Sequence, residues 1–141
     1  MSTHLPTLLS RVAHALDAEM SARLRREGVS LVEFRVLMAL RDAHPVGQGV
    51  TALARRCLLL QPTASKLLDR MQRHGLVERR HAGTDRRVVT VTATGHGSAV
   101  AERLAALGRE EERRALAALP APDFDGLRAA CAAFLGEKGG C

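Results

Sequence analysis

Apolar positions at the start of the chain recur at the three- and four-residue spacing of a helix. Leu5, Leu8, Leu9, Val12, Leu16 and Met20 describe one face of a long helix. Gly28 supplies a stop, and Ser30 an N-cap with Glu33 at its third position, the reciprocal arrangement of a capping box. A second helix is expected from about Leu31 to Ala43, burying Phe34, Leu37, Met38 and Leu40. His44, Pro45, Gly47 and Gly49 read as a loop, and Thr51 as the cap of a short third helix over Ala52 to Cys57. Gln61-Pro62-Thr63 opens a fourth helix, since a proline in the first turn lacks only an N–H that would have no partner there. Ala64, Leu67, Leu68 and Met71 point inward from it, and His74-Gly75 ends it.

From Leu76 the period changes from helical to alternating. Leu76 to Arg80 and Arg87 to Val91 read as two strands, with His81 to Arg86 as a turn-rich tip between them. Thr92 is expected to cap a long helix, roughly Ala93 to Ala118, stopped by Pro120 and Pro122. A last helix carries Phe124, Leu127, Cys131, Phe134 and Leu135 on one face, and Lys138 to Cys141 form a loose tail. The order describes a helix-turn-helix followed by a hairpin wing. The expected fold class is mainly α with a small β-hairpin wing, in one domain over residues 1–141. Its winged helix-turn-helix core covers residues 31–92, flanked by amphipathic dimerisation helices at 1–28 and 93–136. A chain of 141 residues buries so many apolar faces with little margin, and pairing with a second copy is the natural remedy.

Charge changes the picture more than overall composition does. The formal net charge is +6, and residues 51–90 alone hold nine basic against three acidic groups. The rest of the chain is balanced, so the whole excess sits in the helix-turn-helix and wing. A polyanion partner is favoured over an ordinary arginine-rich surface. Three Phe with no Tyr or Trp argue against a single-stranded nucleic-acid module built on stacking platforms, and against a sugar-binding groove. No apolar run approaches the roughly 20 residues of a membrane span. Met1 to Arg11 lacks the pattern of a secretory signal, so a cytoplasmic location is expected, with no membrane partner.

The strongest local signal runs from Leu53-Ala54-Arg55-Arg56 through Gln61-Pro62-Thr63-Ala64-Ser65-Lys66-Leu67-Leu68-Asp69-Arg70-Met71 to Gly75-Leu76-Val77-Glu78-Arg79-Arg80. It continues with Asp85-Arg86-Arg87 and Val88-Val89-Thr90-Val91-Thr92-Ala93-Thr94-Gly95. Together these segments resemble the MarR family of dimeric winged-helix transcriptional regulators, from the Leu31–Leu40 helix through Gly95, with flanking helices that match in kind. The combination is specific, whereas each element alone is weak. One departure stands out: many family members carry Gly in the turn before the recognition helix, where this chain has Leu58-Leu59-Leu60. The Gln-Pro-Thr start resembles a variant of the family, so the fold is expected to be kept while the geometry of that turn stays open.

A helix in the major groove reads base edges with its first two turns. Here those turns offer Gln61, Pro62, Thr63, Ser65 and Lys66, with Arg70 further along. Gln suits adenine and Lys guanine, while Ser and Thr meet either a base or a phosphate. Thr51, Arg55 and Arg56 are placed to touch phosphates, and Arg79 and Arg80 either do the same or are simply solvated. The resemblance assigns minor-groove insertion to Arg86, with Asp85 bracing the arginines and Arg87 near the strand.

The resemblance also implies a small aromatic or carboxylate effector, bound between the dimer helices and the DNA-binding lobe. Arg11, His14 and Arg35 are the polar candidates there, each more often an ordinary surface residue. Cys57 has Arg55 and Arg56 beside it, which lowers a thiol pKa, yet it falls on the apolar side of its helix. Cys131 and Cys141 complete an odd, widely spaced set with no CxxC pair. Relatives that sense organic peroxides use a cysteine near the start of the first helix, and none stands there. The six His form no HExxH motif, so no metal site and no cofactor are expected. No P-loop, nucleophile elbow or dinucleotide fingerprint appears either, and the chain does not read as an enzyme.

The expected function is a ligand-responsive repressor, binding double-stranded DNA as a homodimer on a pseudo-palindromic operator. The alternatives are a sequence-tolerant architectural DNA binder, a thiol-based redox sensor using Cys57, and a dimer that binds a protein instead of DNA.

Overall fold

The computed structural model describes residues 4–117 and 123–136. Their order is α1 (Leu5–Arg26), α2 (Leu31–Asp42), β1 (Gln48–Gly49), α3 (Val50–Arg56), α4 (Gln61–Arg73), β2 (Val77–Ala82), β3 (Asp85–Ala93), α5 (Gly95–Leu116) and α6 (Phe124–Phe134). Pro120, Pro122, the end of the long helix at Ala118 and the tail at 138–141 lie outside the described residues.

Local chemistry sets most of the boundaries. At the start of α2, Ser30 Oγ accepts from Glu33 N at 3.2 Å, while Ser30 N donates to Glu33 Oε2 at 2.9 Å. Both halves of the capping box are therefore made. Helices α1, α3 and α4 end alike. The amide two residues past the C-cap reaches back to the third carbonyl from the helix end: Val29 to Leu24, Leu59 to Ala54, Leu76 to Met71. The residue between must take positive φ, and it is Gly28 (+70), Leu58 (+59) and Gly75 (+71). The turn without its glycine thus adopts the same left-handed geometry with a leucine in it.

Two expected caps move. Gly49, not Thr51, is the N-cap of α3, and Thr51 sits inside the first turn. Thr94, not Thr92, caps α5, accepting from Gly97 N at 2.9 Å and donating to the Gly75 carbonyl. The cause is the sheet: Thr92 is held opposite Glu78 in the ladder, so the chain becomes free to coil only two residues later. Gly97 makes that start possible. A Cβ there would lie 1.9 Å from the Leu76 carbonyl oxygen, so only glycine lets α5 begin against the β2 entry.

The sheet is antiparallel in the order β1-β3-β2. Arg80 pairs with Thr90 and Val77 with Ala93, and the ladder runs on to Ala82 opposite Asp85. The tip is therefore only Gly83-Thr84, shorter than the six residues expected. The third strand, β1, pairs Gln48 with Val91 and Gly49 with Thr90, in a segment expected to be loop.

The chain divides into two compact units, one up to Glu111 and one from Glu112 onward. In the first, Leu24, Leu37, Leu40, Leu53, Leu68, Met71 and Leu104 are fully buried, joined by Val77 and Val91 from the sheet. Each such side chain contributes roughly 1.5–3 kcal/mol of burial. This core clamps α3, α4 and the sheet onto α2 and α5. Phe34 and Met38, expected inside, lie at its edge, partly buried. The amino-terminal half of α1 contributes nothing to it: Leu5, Leu8, Leu9, Val12 and Leu16 are all exposed. In the second unit, Asp123 caps α6 through Gly126 N at 2.9 Å, and Arg128 pairs with Glu112 at 2.7 Å. No residue of α6 is buried, and Leu127, Phe134 and Leu135 stand exposed. Among the described residues, no helix is long and apolar enough to cross a membrane, and no group of three His, Cys, Asp or Glu could hold a metal ion.

Candidate nucleic-acid interface

The two faces of α4 separate cleanly. Ala64, Leu67, Leu68 and Met71 are buried, Ser65 is half-buried, and Gln61, Pro62, Thr63, Lys66 and Arg70 are exposed. At its amino-terminal end, Gln61 Nε2 donates to Thr51 Oγ1 at 2.9 Å, a side-chain bond that bridges α3 and α4 across the turn.

Ion pairing sorts the nine cations of the central segment. Arg56 pairs with Asp42 at 2.5 Å, Arg70 with Glu33 at 3.4 Å, Arg80 with Glu78 at 3.2 Å and Arg87 with Asp85 at 3.4 Å. Arg79 reaches from β2 to α4, where its guanidinium bonds Asp69 and its Nε donates to Gln72 Oε1 at 2.9 Å. Those pairs use every acidic residue of the segment. Arg55, Lys66, Arg73 and Arg86 have no acidic partner among the described residues. They are exposed on α3, on α4 and at the wing tip. Four unneutralised cations on a helix-turn-helix and its wing suit a surface of phosphates.

Asp85 shapes the wing tip. Its Oδ1 accepts from Arg87 N at 3.0 Å, an Asx-type turn, and also faces Arg87 Nε. Arg86 lies between the two, exposed and unpaired, while Arg87 is tied to Asp85.

The MarR family profile matches residues 27–88, the span from the end of α1 to the middle of β3. The HTH-type transcriptional repressor Rv2887 of Mycobacterium tuberculosis is 33% identical over 115 residues, covering 82% of this chain and 81% of the relative. The chain belongs to the MarR family. The MarR family regulator SPO1453 from Silicibacter pomeroyi superposes with a TM-score of 0.77 at 32% identity, over 94% of this chain and 93% of its own. Rv2887 itself, solved with p-aminosalicylic acid, gives 0.75 at 30% identity, over 96% of this chain and all of its own. The repressor YetL of Bacillus subtilis is 37% identical over 76 residues, 54% of this chain but only about half, 46%, of its own length.

Within this MarR family chain, the effector candidates lie on α1 and α2. Arg35 is bound to Asp17 at 2.8 Å, bridging α2 and α1. Arg11 and His14 are exposed on α1 with no hydrogen bond or ion pair among the described residues. Cys57 is buried, and burial pushes its thiol pKa up, against the smaller opposing pull of Arg56 and Arg35. That environment holds the thiol protonated and out of reach, the reverse of what a redox sensor needs. Cys131 is exposed on α6.

Sequence patterns missed Glu33, Asp69, Gln72 and Arg73. Glu33 showed only as a capping residue, although its side chain also meets Arg70. Asp69 was legible only as a lone acid on a basic helix, which marks it for pairing without naming its partner. Arg73 had no motif to flag it.

Proposed function

We propose that this protein is a sequence-specific, double-stranded-DNA-binding transcriptional regulator that works as a homodimer and represses by occluding a promoter. The observation that carries the reading is the set of unpaired cations, Arg55, Lys66, Arg73 and Arg86, on the exposed faces of a winged helix-turn-helix. The α4 face bearing Gln61, Pro62, Thr63, Ser65 and Lys66 enters the major groove. Arg86, held forward by the Asp85–Arg87 turn, enters the minor groove. Thr51 and Arg55 border the α4 entrance, and Arg70 lies further along the same helix.

The exposed apolar residues of α1, and separately those of α6, are the surfaces a second copy would cover. This reading assigns 31–92 to the DNA-binding lobe and 1–28 with 93–136 to dimerisation. Two recognition helices about one helical turn apart call for a pseudo-palindromic operator. A small aromatic carboxylate, the chemistry of the acid bound by Rv2887, is the effector class to screen, with Arg11, His14 and Arg35 as its candidate partners. It relieves repression if it binds more tightly to a dimer whose heads are wrongly spaced. The protein acts in the cytoplasm by binding and carries no catalytic step.

The test is fluorescence anisotropy with the duplex upstream of its own gene and a scrambled duplex, at several salt concentrations. A preference of roughly a thousandfold with a steep salt slope supports the reading. Equal binding to both duplexes replaces it with an architectural role, and no binding to either overturns it.

A further inference from the structure

We propose that Thr51 and Gln61 form one base-reading unit, in which Thr51 holds the Gln61 amide so that the amide reads adenine. This rests on the DNA-binding reading above and assigns a specificity to one position of the operator. A glutamine amide offers one acceptor and two N–H donors. One N–H is given to Thr51 Oγ1 at 2.9 Å, which leaves the Oε1 acceptor and a second N–H. That remaining pair complements the N6–H donor and N7 acceptor of adenine in the major groove.

The geometry favours positioning over a phosphate contact as the main task of Thr51. Gln61 is the first residue of the recognition helix, exposed, with three side-chain torsions to immobilise on binding. Thr51 is β-branched inside a helical turn, so its own side chain has few rotamers. Tying the mobile side chain to the stiff one removes part of the ordering cost before DNA arrives. The bond spans α3 and α4, so it also holds the reading group in register with the helix-turn-helix itself. Leu60, 78% exposed just before Gln61, presents apolar surface of the kind that meets a thymine methyl, in keeping with an A·T pair at this position.

The experiment is selection of duplexes from a random library by the full-length protein, followed by sequencing, with wild type, Gln61→Ala, Thr51→Val and Thr51→Ser. Wild type is expected to enrich a two-fold symmetric motif containing an A·T pair in each half-site. Gln61→Ala should lose preference at that pair alone, by roughly five- to hundredfold, the range for one bidentate contact. Thr51→Val, which keeps the shape and deletes the hydroxyl, should lose much of the same preference at that position only. Thr51→Ser should restore it. A Thr51→Val motif identical to wild type overturns the proposal, as does a Gln61-dependent position that is G·C. A wild-type protein that enriches no motif overturns the sequence-specific reading itself, and this assignment with it.

Discussion

Glu33 Oε1 lies 3.4 Å from Arg70 Nη2. The other oxygen of the same carboxylate accepts from Ser30 N, so one mostly buried side chain starts α2 and restrains the recognition helix. On the adjoining residue of α4, Asp69 is bonded by Arg79 from the wing. The recognition helix is thus fastened by charge to the scaffold through Arg70 and to the wing through Asp69. Both pairs neutralise cations of the basic segment.

Glu33→Gln should separate these roles. Glutamine at this position keeps the capping box, so stability measured by urea denaturation should change by no more than about 1 kcal/mol. Arg70, no longer neutralised, becomes available to a phosphate. The salt dependence of DNA affinity should then steepen by up to about one unit per chain. An unchanged slope would mean that Arg70 has no phosphate within reach.

Arg86→Ala should weaken DNA binding and lower the salt slope by about one per chain, with the dimer unchanged in sedimentation. Nothing inside the fold depends on Arg86, which is exposed and without an ion-pair partner. Unaltered affinity would remove the wing from the interface.

Leu58→Gly should stabilise the protein. Leu58 has φ +59 at the end of α3 and is 76% exposed, so it bears the cost of a left-handed backbone with little burial in return. Relief of about 1–2 kcal/mol of steric cost, less roughly 0.5–1 kcal/mol for the extra freedom of unfolded glycine, leaves a gain of up to about 1.5 kcal/mol. Thermal unfolding should shift upward by a few degrees, and a downward shift would contradict the account of that turn.

Cys57 makes stability fall in alkali. Burial raises its folded thiol pKa above the unfolded value of about 8.5, so above that pH the unfolded chain gives up the proton first. The contribution is constant below about pH 8.5 and declines as pH rises towards the folded value. Urea midpoints followed from pH 7 to 10 should drop more steeply in wild type than in Cys57→Ala. The folded thiol should also resist alkylation until the protein is unfolded, and rapid labelling of native Cys57 would show the burial to be incomplete.

Much of this architecture was legible in local pattern because its determinants are local. The apolar spacing of α4, the Ser30–Glu33 box, the proline at Pro62 and the glycine at Gly75 each act within a few residues, so one stretch of chain carries the whole signal. The basic excess of residues 51–90 was equally plain, since it is a property of composition. Strand β1 was not legible: two residues, Gln48 and Gly49, have no period to read, and only the waiting edge of β3 makes them a strand. Thr92 and Thr94 are chemically equal as caps, and the ladder register chose between them.

By itself, then, the sequence determined the helix-turn-helix, the wing and the concentration of positive charge, because propensity, capping and charge count do not depend on distant partners. Arg80 and Arg87 meet acids two residues away in the chain, but for the other cations tertiary structure decided which remain free. Arg56, Arg70 and Arg79 look no different from Arg55, Arg73 and Arg86 in the chain. The first three meet Asp42, Glu33 and Asp69, residues ten or more positions away and on other elements. The fold likewise brought Thr51 to Gln61, ten residues apart, and so gave a polar pair in the sequence a shared orientation. Ion pairs and side-chain bonds of this kind depend on distances of a few ångströms, and only packing sets those distances.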